Sequence, residues 1–304
     1  MTRLVIGAYN YQSGGYRNGT FHMGPLQQAL AVLDSPPAVL LFCEAKYYRR
    51  NQYQGLRLAE KALTQQFDAP YFGLLGTCQR GPIPPAIFYN QELVTKLHWP
   101  GDNPNDPDVF DDQRNYGRFR ANDSGTEFGA WVEHFHPRNG AIRLDEAGRV
   151  DRYGKDPLPI IGGGDLNCTA SGPHFPQRDW QAANHHIRTH KGKRVDDGTP
   201  EGRWEADTDP LDHLIGPWDP TSGRRLEGSG YHAFADLAWL ANPDVVIQPS
   251  IIDKPGEGGP DLIDYLLANN VMRRYVVADR YRVYVPDGPP FPSDHYLVTG
   301  EIDI

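Results

Sequence analysis

The first half of the chain alternates between apolar runs and stretches in which apolar residues recur every three or four positions. The segment RLVIGAYN predicts a short strand that ends at Asn10. PAVLLFCEAK is a continuous apolar run, typical of a strand buried on both faces, and it ends at Glu44. Each run is followed by apolar residues at helical spacing, in GPLQQALAVLD and in QGLRLAEKALTQQF. This alternation favours an α/β fold.

Strands cluster later in the chain, which indicates a mixed sheet. Two stretches without periodicity are expected to be long loops, around residues 98–125 and 168–230, with one short helix near DWQAANHHI in the second. No linker-like stretch divides the chain, so we expect a single domain over residues 1–304. The remaining predicted strands are YFGLL, AIFYN, FGAWVEHFH, LPIIGG, DLIDYLLA, RYRVYVPD and HYLVTGEIDI, and a further helix is predicted at YHAFADLAWLAN.

Composition narrows the class of protein. No apolar run approaches the ~18 residues that a membrane-spanning helix needs, and the apolar run near Met1 is too short for a signal-peptide core. We therefore expect a cytoplasmic protein without a membrane span. The three cysteines form no C-x-x-C pair, which argues against a disulfide framework or a thiolate zinc site. The net charge of −9 argues against coating nucleic acid by bulk charge, but it leaves room for one local basic groove.

Polar residues interrupt the apolar runs near the strand ends. Acidic side chains near a buried sheet are costly unless they are paired, hydrogen-bonded or bound to a metal. A set spread over the whole chain therefore predicts a convergent site. Its members are Asn10, Glu44, His134 or His136, Asp165, Asn167, Asp264, Asp294 and His295.

The chemistry of this set is dominated by oxygen. Carboxylate and amide oxygens suit Mg²⁺, with Mn²⁺ and Ca²⁺ as the alternatives, rather than zinc. Mg²⁺ usually takes only one or two protein carboxylates. The other acids and histidines would then handle a proton and the charge of a transition state. This combination predicts metal-assisted hydrolysis of a phosphate ester.

Five short motifs resemble those of the endonuclease/exonuclease/phosphatase superfamily, the deoxyribonuclease I-like proteins. They stand in the family's order and span residues 10–298, nearly the whole chain. Each motif alone is weak, and the ordered set is specific. The motifs are YNYQSGG, LLFCEAK, GGGDLN, DLIDYLL and PSDHYLV.

The resemblance implies a two-sheet α/β/β/α sandwich with its site at one rim. It implies that Glu44 holds Mg²⁺, with Asn10 beside it and Asp294 acting through water. The family's H-L-x-P-like continuation favours His134 over His136 as the mid-chain site histidine, because HFHP then aligns. The family's basic residue before I-D-Y is absent from this chain.

The resemblance also implies roles for the other residues. Asp165 would orient or deprotonate the attacking water, and Asn167 would donate to a phosphate oxygen. Asp264 would fix His295 and stabilise its charge, and His295 would contact the phosphate.

Substrate contacts are predicted from basic and aromatic residues near these motifs. Residues 174–195 hold five Lys or Arg and one acid, with Trp180 among them, and we select Arg178 and Lys191 as candidates. A solvated basic loop is the alternative interpretation. KYYRR (46–50), just after Glu44, is a second candidate for phosphate contacts. The resemblance implies Tyr89 as a third, because Arg or Tyr often follows the family's strand equivalent to AIFY.

The predicted function is a Mg²⁺-dependent phosphoesterase, with a nuclease acting on phosphodiesters as the first hypothesis. The second is a phosphatase or phosphodiesterase for a smaller substrate, such as a nucleotide, an inositol phosphate or a phospholipid head group. A third, from another class, is a non-catalytic binding module on the same fold. None of the acids is missing, which speaks against the third hypothesis.

Overall fold

Two sheets with helices on their outer sides make up the regular structure. The computed structural model describes residues 2–78, 83–100, 115–199 and 202–304. Its strands are β1 (Arg3–Asn10), β2 (Tyr16–Arg17), β3 (Thr20–Phe21), β4 (Pro37–Cys43), β5 (Tyr71–Leu75), β6 (Ala86–Asn90), β7 (Val94–His98), β8 (Tyr116–Ala121), β9 (Glu127–Val132), β10 (Ile160–Asp165), β11 (Gly192–Val195), β12 (Arg203–Ala206), β13 (Trp218–Asp219), β14 (Arg224–Arg225), β15 (Tyr231–Ala233), β16 (Asp264–Asn269), β17 (Val276–Tyr284) and β18 (Leu297–Asp303). Its helices are α1 (Gly24–Leu30), α2 (Arg50–Phe67), α3 (Gly140–Val150), α4 (His185–Lys191), α5 (Asp209–Ile215) and α6 (Phe234–Ala241). Within these ranges, no helix is long and apolar enough to cross a membrane.

The two main sheets have six strands each. The first runs in the order β17-β18-β1-β4-β6-β5 and the second in the order β15-β16-β10-β9-β8-β7. Side chains that alternate along a strand point to opposite faces, so Leu41 joins the core shared with the second sheet. Its neighbours Leu40 and Phe42 instead pack with α1 and α2 in a separate cluster. The continuous apolar run of β4 is thus explained by burial on both faces.

The register of the strands brings distant polar residues to one rim. In the first sheet, β1 and β4 are parallel and Asn10 pairs with Cys43, next to Glu44. In the second sheet, β10 and β16 are antiparallel and Asp165 pairs with Asp264. Both sets of strand ends meet where β1 and β4 pack against β10.

Two glycines of β10 are required by close approach. A side chain at Gly162 would place its Cβ 1.7 Å from the indole ring of Trp131. Gly164 has φ +123°, and a Cβ there would lie 2.2 Å from the backbone oxygen of Glu133. Other residues rarely adopt that backbone conformation. The glycines let β10 pass close enough to its neighbours to deliver Asp165 to the rim.

The two predicted long loops contain more regular structure than expected. β8 falls inside 98–125, where buried Gly117, Phe119 and Ala121 alternate with exposed arginines, while residues 101–114 lie outside the described residues. The stretch 168–230 contains α4, α5 and the strands β11 to β14. These elements are short, at two to seven residues, and so leave little periodic signal. Helix α3 was not predicted; the side chain of Asn139 caps it by accepting from the Ile142 amide at 3.2 Å.

Candidate active site

Asp165 lies at the centre of the polar residues on this rim. Its Oδ2 accepts a hydrogen bond from Asn10 Nδ2 at 2.9 Å. The same oxygen is 3.4 Å from His134 Nε2 and 3.7 Å from His295 Nε2. The side chain is buried, which alone would raise the pKa of Asp165, but the positive charges of His295, His134 and Lys191 outweigh burial and lower it. Asp165 is therefore a buried carboxylate that stays ionised.

Asp264 holds His295 in a defined orientation. His295 Nδ1 donates to Asp264 Oδ2 at 2.8 Å, and the Ser250 hydroxyl donates to the same oxygen at 2.7 Å. The other imidazole nitrogen, Nε2, is thereby turned toward Asp165. Burial lowers the pKa of His295, but the carboxylates of Asp264 and Asp165 outweigh burial and raise it to about 10. The geometry supports a charged imidazole held between two carboxylates.

Asn10 and Glu44 form a second group beside the first. Asn10 Nδ2 also lies 3.4 Å from Glu44 Oε1, while Glu44 Oε2 accepts from the Ser13 amide at 2.6 Å. Asn10 is buried, and within the described residues its Oδ1 has no hydrogen-bond partner. Because a buried oxygen without a partner is costly, this atom calls for a ligand. An oxygen of Asn10 next to a half-buried carboxylate is a donor set that fits Mg²⁺.

A different set of atoms is also close enough to hold a metal. Among the residues that the structure describes, ligand atoms of Asp165, Asp264 and His295 lie within 4.8 Å of one another. In this set, however, His295 Nδ1 is hydrogen-bonded to Asp264, and a protonated imidazole has no lone pair to offer. We therefore interpret this set as a hydrogen-bonded ion-pair network, although Asp264 Oδ1 has no partner among the described residues. Asn10 and Glu44 are the donor set that could hold a cation.

Asn167 and Lys191 extend the site along the chain after β10. The Asn167 backbone N–H donates to Asp165 Oδ1 at 3.0 Å, and its Nδ2 donates to the Phe135 carbonyl at 3.0 Å. One N–H of this amide is thus occupied. Lys191 Nζ donates to Asn167 Oδ1 and, at 3.3 Å, to the Asn167 carbonyl. Burial lowers the pKa of Lys191 to about 8, although the charge of Asp165 opposes that effect.

His134 rather than His136 faces this site. His134 Nε2 is near Asp165, as given above, whereas His136 Nδ1 accepts from the Arg138 amide at 3.0 Å. The backbone of His136 donates to Glu146 at 2.7 Å. Of the two candidates that the sequence offered, the structure brings His134 to Asp165.

Three predicted residues are placed differently from the core of the site. Asp294 precedes His295, but its carboxylate is engaged elsewhere, because its Oδ2 accepts a hydrogen bond from Lys254 at 3.0 Å. Tyr89 is 5% exposed and packs against Phe72 and Phe119, so it belongs to the core rather than to a substrate surface. Its backbone pairs with Val39, toward the other end of β4 from Glu44. Strand alternation points its ring into the core between the sheets.

Arg178 is also not a free substrate-binding cation. Its side chain is 3% exposed and its Nε lies 3.7 Å from the carboxylate of Asp261. Burial raises the pKa of Asp261 to about 6, although the charges of Arg178 and Lys191 oppose it. Arg178 and Asp261 line a groove of about 440 Å³ together with Thr169, Trp180 and Trp218.

Three residues that support the site were not singled out from the sequence. Ser250 is fully buried and accepts from the Asp264 amide at 3.0 Å while donating to its carboxylate. Ser293 Oγ donates to the Asn10 carbonyl at 2.7 Å, and Cys43 Sγ accepts from the Asp165 amide at 3.2 Å. Ser293 and Cys43 lie within the motifs PSDHYLV and LLFCEAK, so their position in the sequence indicated that they are near the site. Ser250 has no such signal, because it reaches Asp264 only through the fold.

Of three comparisons with known proteins, only the comparison with solved structures gives matches. No protein-family model matches the chain, and no curated protein is significantly similar to it in sequence. A 3′ phosphatase from Neisseria, solved with a product DNA hairpin, is similar in structure, with a TM-score of 0.57 and 16% identity over 99% of this chain and 100% of that one. An endonuclease/exonuclease/phosphatase from Bacteroides vulgatus has a TM-score of 0.56 and 12% identity over 100% of both chains. A mannosyl-6-phosphatase from Bacteroides thetaiotaomicron has a TM-score of 0.54 and 13% identity over 99% of this chain and 100% of that one.

These similarities concern the fold. They span nearly the whole chain at low sequence identity. The names of the similar proteins give different substrates, a mannosyl 6-phosphate in one and a DNA 3′ phosphate in another. The predicted α/β fold of two sheets flanked by helices, deoxyribonuclease I-like in type, is confirmed.

Proposed function

We propose that this chain, whose fold is that of the endonuclease/exonuclease/phosphatase proteins, is a phosphoesterase that depends on a divalent cation. The observation that carries the proposal is the convergence on Asp165. Asn10, His134 and His295 come from three separate parts of the chain, and each places a nitrogen within 3.7 Å of one carboxylate oxygen. Hydrolysis of a charged ester needs a buried acid surrounded by hydrogen-bond donors and positive charges in this way. Packing of the core alone gives no reason for such an arrangement.

The cation would be Mg²⁺, held by Glu44 and by the unpartnered Oδ1 of Asn10. When bound, such an ion neutralises the charge of the phosphate and lowers the pKa of its bound water. Mn²⁺ and Ca²⁺ prefer the same oxygen ligands and would compete for this position. Asp294 would contribute only at longer range, since Lys254 holds its carboxylate.

The residues of the chain divide the remaining work. Asp165 is ionised and accepts a hydrogen bond, so it would orient the attacking water and take its proton. His295, fixed by Asp264, would direct its Nε2–H toward the phosphoryl group as negative charge grows there. His134 would stand on the other side of Asp165, and Asn167 and Lys191 would supply further donors for phosphate oxygens.

Hydrolysis of phosphodiesters in nucleic acid is the substrate class that we favour. Lys191 is a cation at the site and forms no ion pair with a carboxylate in the described part of the chain, so it is available to a phosphate. Further cations border Glu44, in the KYYRR segment.

A small phosphate ester is the second candidate, and the groove at Arg178 favours it. That groove pairs a buried arginine with a buried carboxylate, so its charges are balanced and it suits a neutral polar group rather than a second phosphate. The net charge of −9 points the same way.

The proposal is tested by hydrolysis with and without metal. A DNA oligonucleotide, an RNA oligonucleotide and bis-p-nitrophenyl phosphate are incubated with the chain in Mg²⁺ and in EDTA, with Asp165→Asn as the inactive reference. Cleavage of nucleic acid that EDTA abolishes supports the nuclease, and cleavage of the small ester alone supports the second candidate. Absence of hydrolysis with Mg²⁺, Mn²⁺ and Ca²⁺ would contradict the proposal and favour a binding module.

A further inference from the structure

Next to Glu44 lies a surface of cations and aromatic rings, which we call the basic rim: Tyr16, Arg17, Tyr47 and Arg50. The Arg50 guanidinium lies 3.5 Å from the centre of the Tyr47 ring, and the Tyr47 and Tyr16 rings meet edge to face at 4.8 Å. Both arginines are exposed and both tyrosines are partly exposed. Tyr16, Tyr47 and Arg50 therefore form one continuous and accessible surface, and the exposed Arg17 follows Tyr16 in β2.

The basic rim borders the proposed metal position. Lys46, the neighbour of Tyr47, has its Nζ 3.4 Å from the Ser13 hydroxyl. The backbone N–H of Ser13 in turn donates to Glu44 Oε2 at 2.6 Å. If the phosphate that is cut lies at Glu44, the neighbouring phosphates of the same strand would lie next to this surface.

The charges of the basic rim are not compensated, unlike those of Arg178 and Lys193 in the segment after Asn167. Arg17 has the amide oxygen of Gln12 at 3.4 Å, and within the described residues neither rim arginine forms an ion pair with a carboxylate. In the other segment, Arg178 faces Asp261 at 3.7 Å and Lys193 faces Asp209 at 2.5 Å. In a chain of net charge −9, cations left without acids beside an active site are available for an anion from outside.

We infer that the basic rim binds the phosphate chain of a single-stranded nucleic acid next to the bond that is cut, an inference that rests on the proposed phosphoesterase function. Arg17 and Arg50 would contact phosphates that flank the scissile one. The Tyr16 and Tyr47 rings would support unpaired bases, whose flat faces are accessible in a single strand and covered in a duplex. The uncompensated positive charges favour a polyanion as the partner. The aromatic rings favour a single strand over a duplex, because only a single strand exposes the faces of its bases.

The test measures binding, so its result does not depend on hydrolysis. The full chain carrying Asp165→Asn is titrated onto fluorescently labelled oligothymidylate in EDTA over a series of salt concentrations, with and without Arg17→Gln and Arg50→Gln. Each phosphate contact on a single strand contributes about 0.7 to the slope of log affinity against log salt, so losing both should reduce the slope by about 1.4. The pair Arg17→Lys and Arg50→Lys should keep most of the slope, because the charge is retained.

Arg274→Gln is the matched control. Its guanidinium lies 4.9 Å from the Tyr275 ring, which repeats the arginine–tyrosine contact of the rim. Arg274 follows β16, whose other end carries Asp264, so it is remote from the site. This variant should bind the oligonucleotide as the parent does.

Several outcomes would overturn the inference. They are an unchanged salt slope in the double glutamine variant, an equal loss in Arg274→Gln, tighter binding to a duplex than to the single strand, or rim-dependent binding to phosphatidylserine vesicles without binding to the oligonucleotide. Mg²⁺-dependent cleavage of bis-p-nitrophenyl phosphate by the wild-type chain reports separately on the proposed function. A chain that cleaves the ester and yet shows no rim-dependent binding would refute the inference alone.

Discussion

Two polar clusters share one rim of the sheets and differ in whether a positively charged side chain already faces their acids. In the inner cluster, Asp165 and Asp264 are buried and His295 is partly buried, and contacts of 2.8 and 3.7 Å join the acids to the imidazole. Asn10 and Glu44, the outer pair, are 3.4 Å apart. Asn10 donates to Asp165 at 2.9 Å and Glu44 accepts from the Ser13 amide at 2.6 Å, while Asn10 Oδ1 has no partner among the described residues. The inner cluster already has its counter-charge, and the outer pair is an acceptor set that lacks one.

The difference teaches how to assign roles among similar side chains. Proximity alone would place a cation at Asp165, Asp264 and His295, since those atoms are close together. The charge of the imidazole reverses the choice, because His295 already supplies a positive charge between the two acids. Hydrogen-bond satisfaction alone does not separate the clusters, since Asp264 Oδ1, like Asn10 Oδ1, has no partner among the described residues. A metal is expected where a carboxylate has no cation beside it, and proton and charge handling where a cation is already in place.

The largest effect is expected from removing the charge at the centre. Asp165→Asn should lower kcat on bis-p-nitrophenyl phosphate by about 10³-fold or more, because an amide can no longer take a proton from water. Circular dichroism should show the fold retained. The control is Asp123→Asn, an exposed turn residue, which should keep full activity. Activity of Asp165→Asn near the parent level would remove the mechanism proposed for the inner cluster.

The next effect separates His295 from the residue that holds it. His295→Ala should cost about 10²-fold in kcat, and Asp264→Asn should cost less, since Asp264 acts through the imidazole. The double variant should be little worse than His295→Ala alone, because the two side chains act as one unit. Multiplying losses in the double variant would instead show that Asp264 acts independently of His295.

A smaller change is expected at the outer pair. Glu44→Gln should raise the Mg²⁺ concentration for half-maximal activity by about tenfold or more, because a charged ligand becomes neutral. The exposed Glu92→Gln should leave the metal titration unchanged. An unaltered metal requirement in Glu44→Gln would move the cation away from this pair.

The smallest predicted effect is a shift in pH dependence. Lys191 has a pKa of about 8, so it is charged below that pH and neutral above it. If its charge holds a phosphate oxygen, kcat/KM should fall as the pH rises through about 8. Lys191→Arg should move this decline to higher pH, because a guanidinium keeps its proton. A decline at the same pH in both proteins would assign it to another group.

Much of the rim could be predicted because its residues lie where strands stop. Asn10, Glu44 and Asp165 each follow an apolar run, and register in the sheets then makes their meeting a geometric consequence. The fold class follows from the same alternation of strands and helices. The choice of His134 depended on the H-L-x-P-like continuation HFHP, since both histidines follow the same strand.

The rest depends on contacts that sequence spacing does not encode. Tyr89 lies in a strand like its neighbours, and only the packing of the two sheets turns it into the core. Arg178 was selected for its charge, but its partner Asp261 lies 83 positions away in the chain (261 − 178) and meets it only in the folded state. Within 168–230, β11 pairs with β12 and β13 with β14, and strands of two to four residues are too short to show a periodic pattern.

The position of the cation tests the account most directly. A crystal of Asp165→Asn grown with Mn²⁺ and a short phosphodiester, and measured at the manganese absorption edge, locates the ion by its anomalous signal. The account predicts one peak bonded to Glu44 and Asn10 Oδ1, with a phosphate oxygen facing His295. A peak bonded instead to Asp264 and His295, with Glu44 and Asn10 left unliganded, would contradict it.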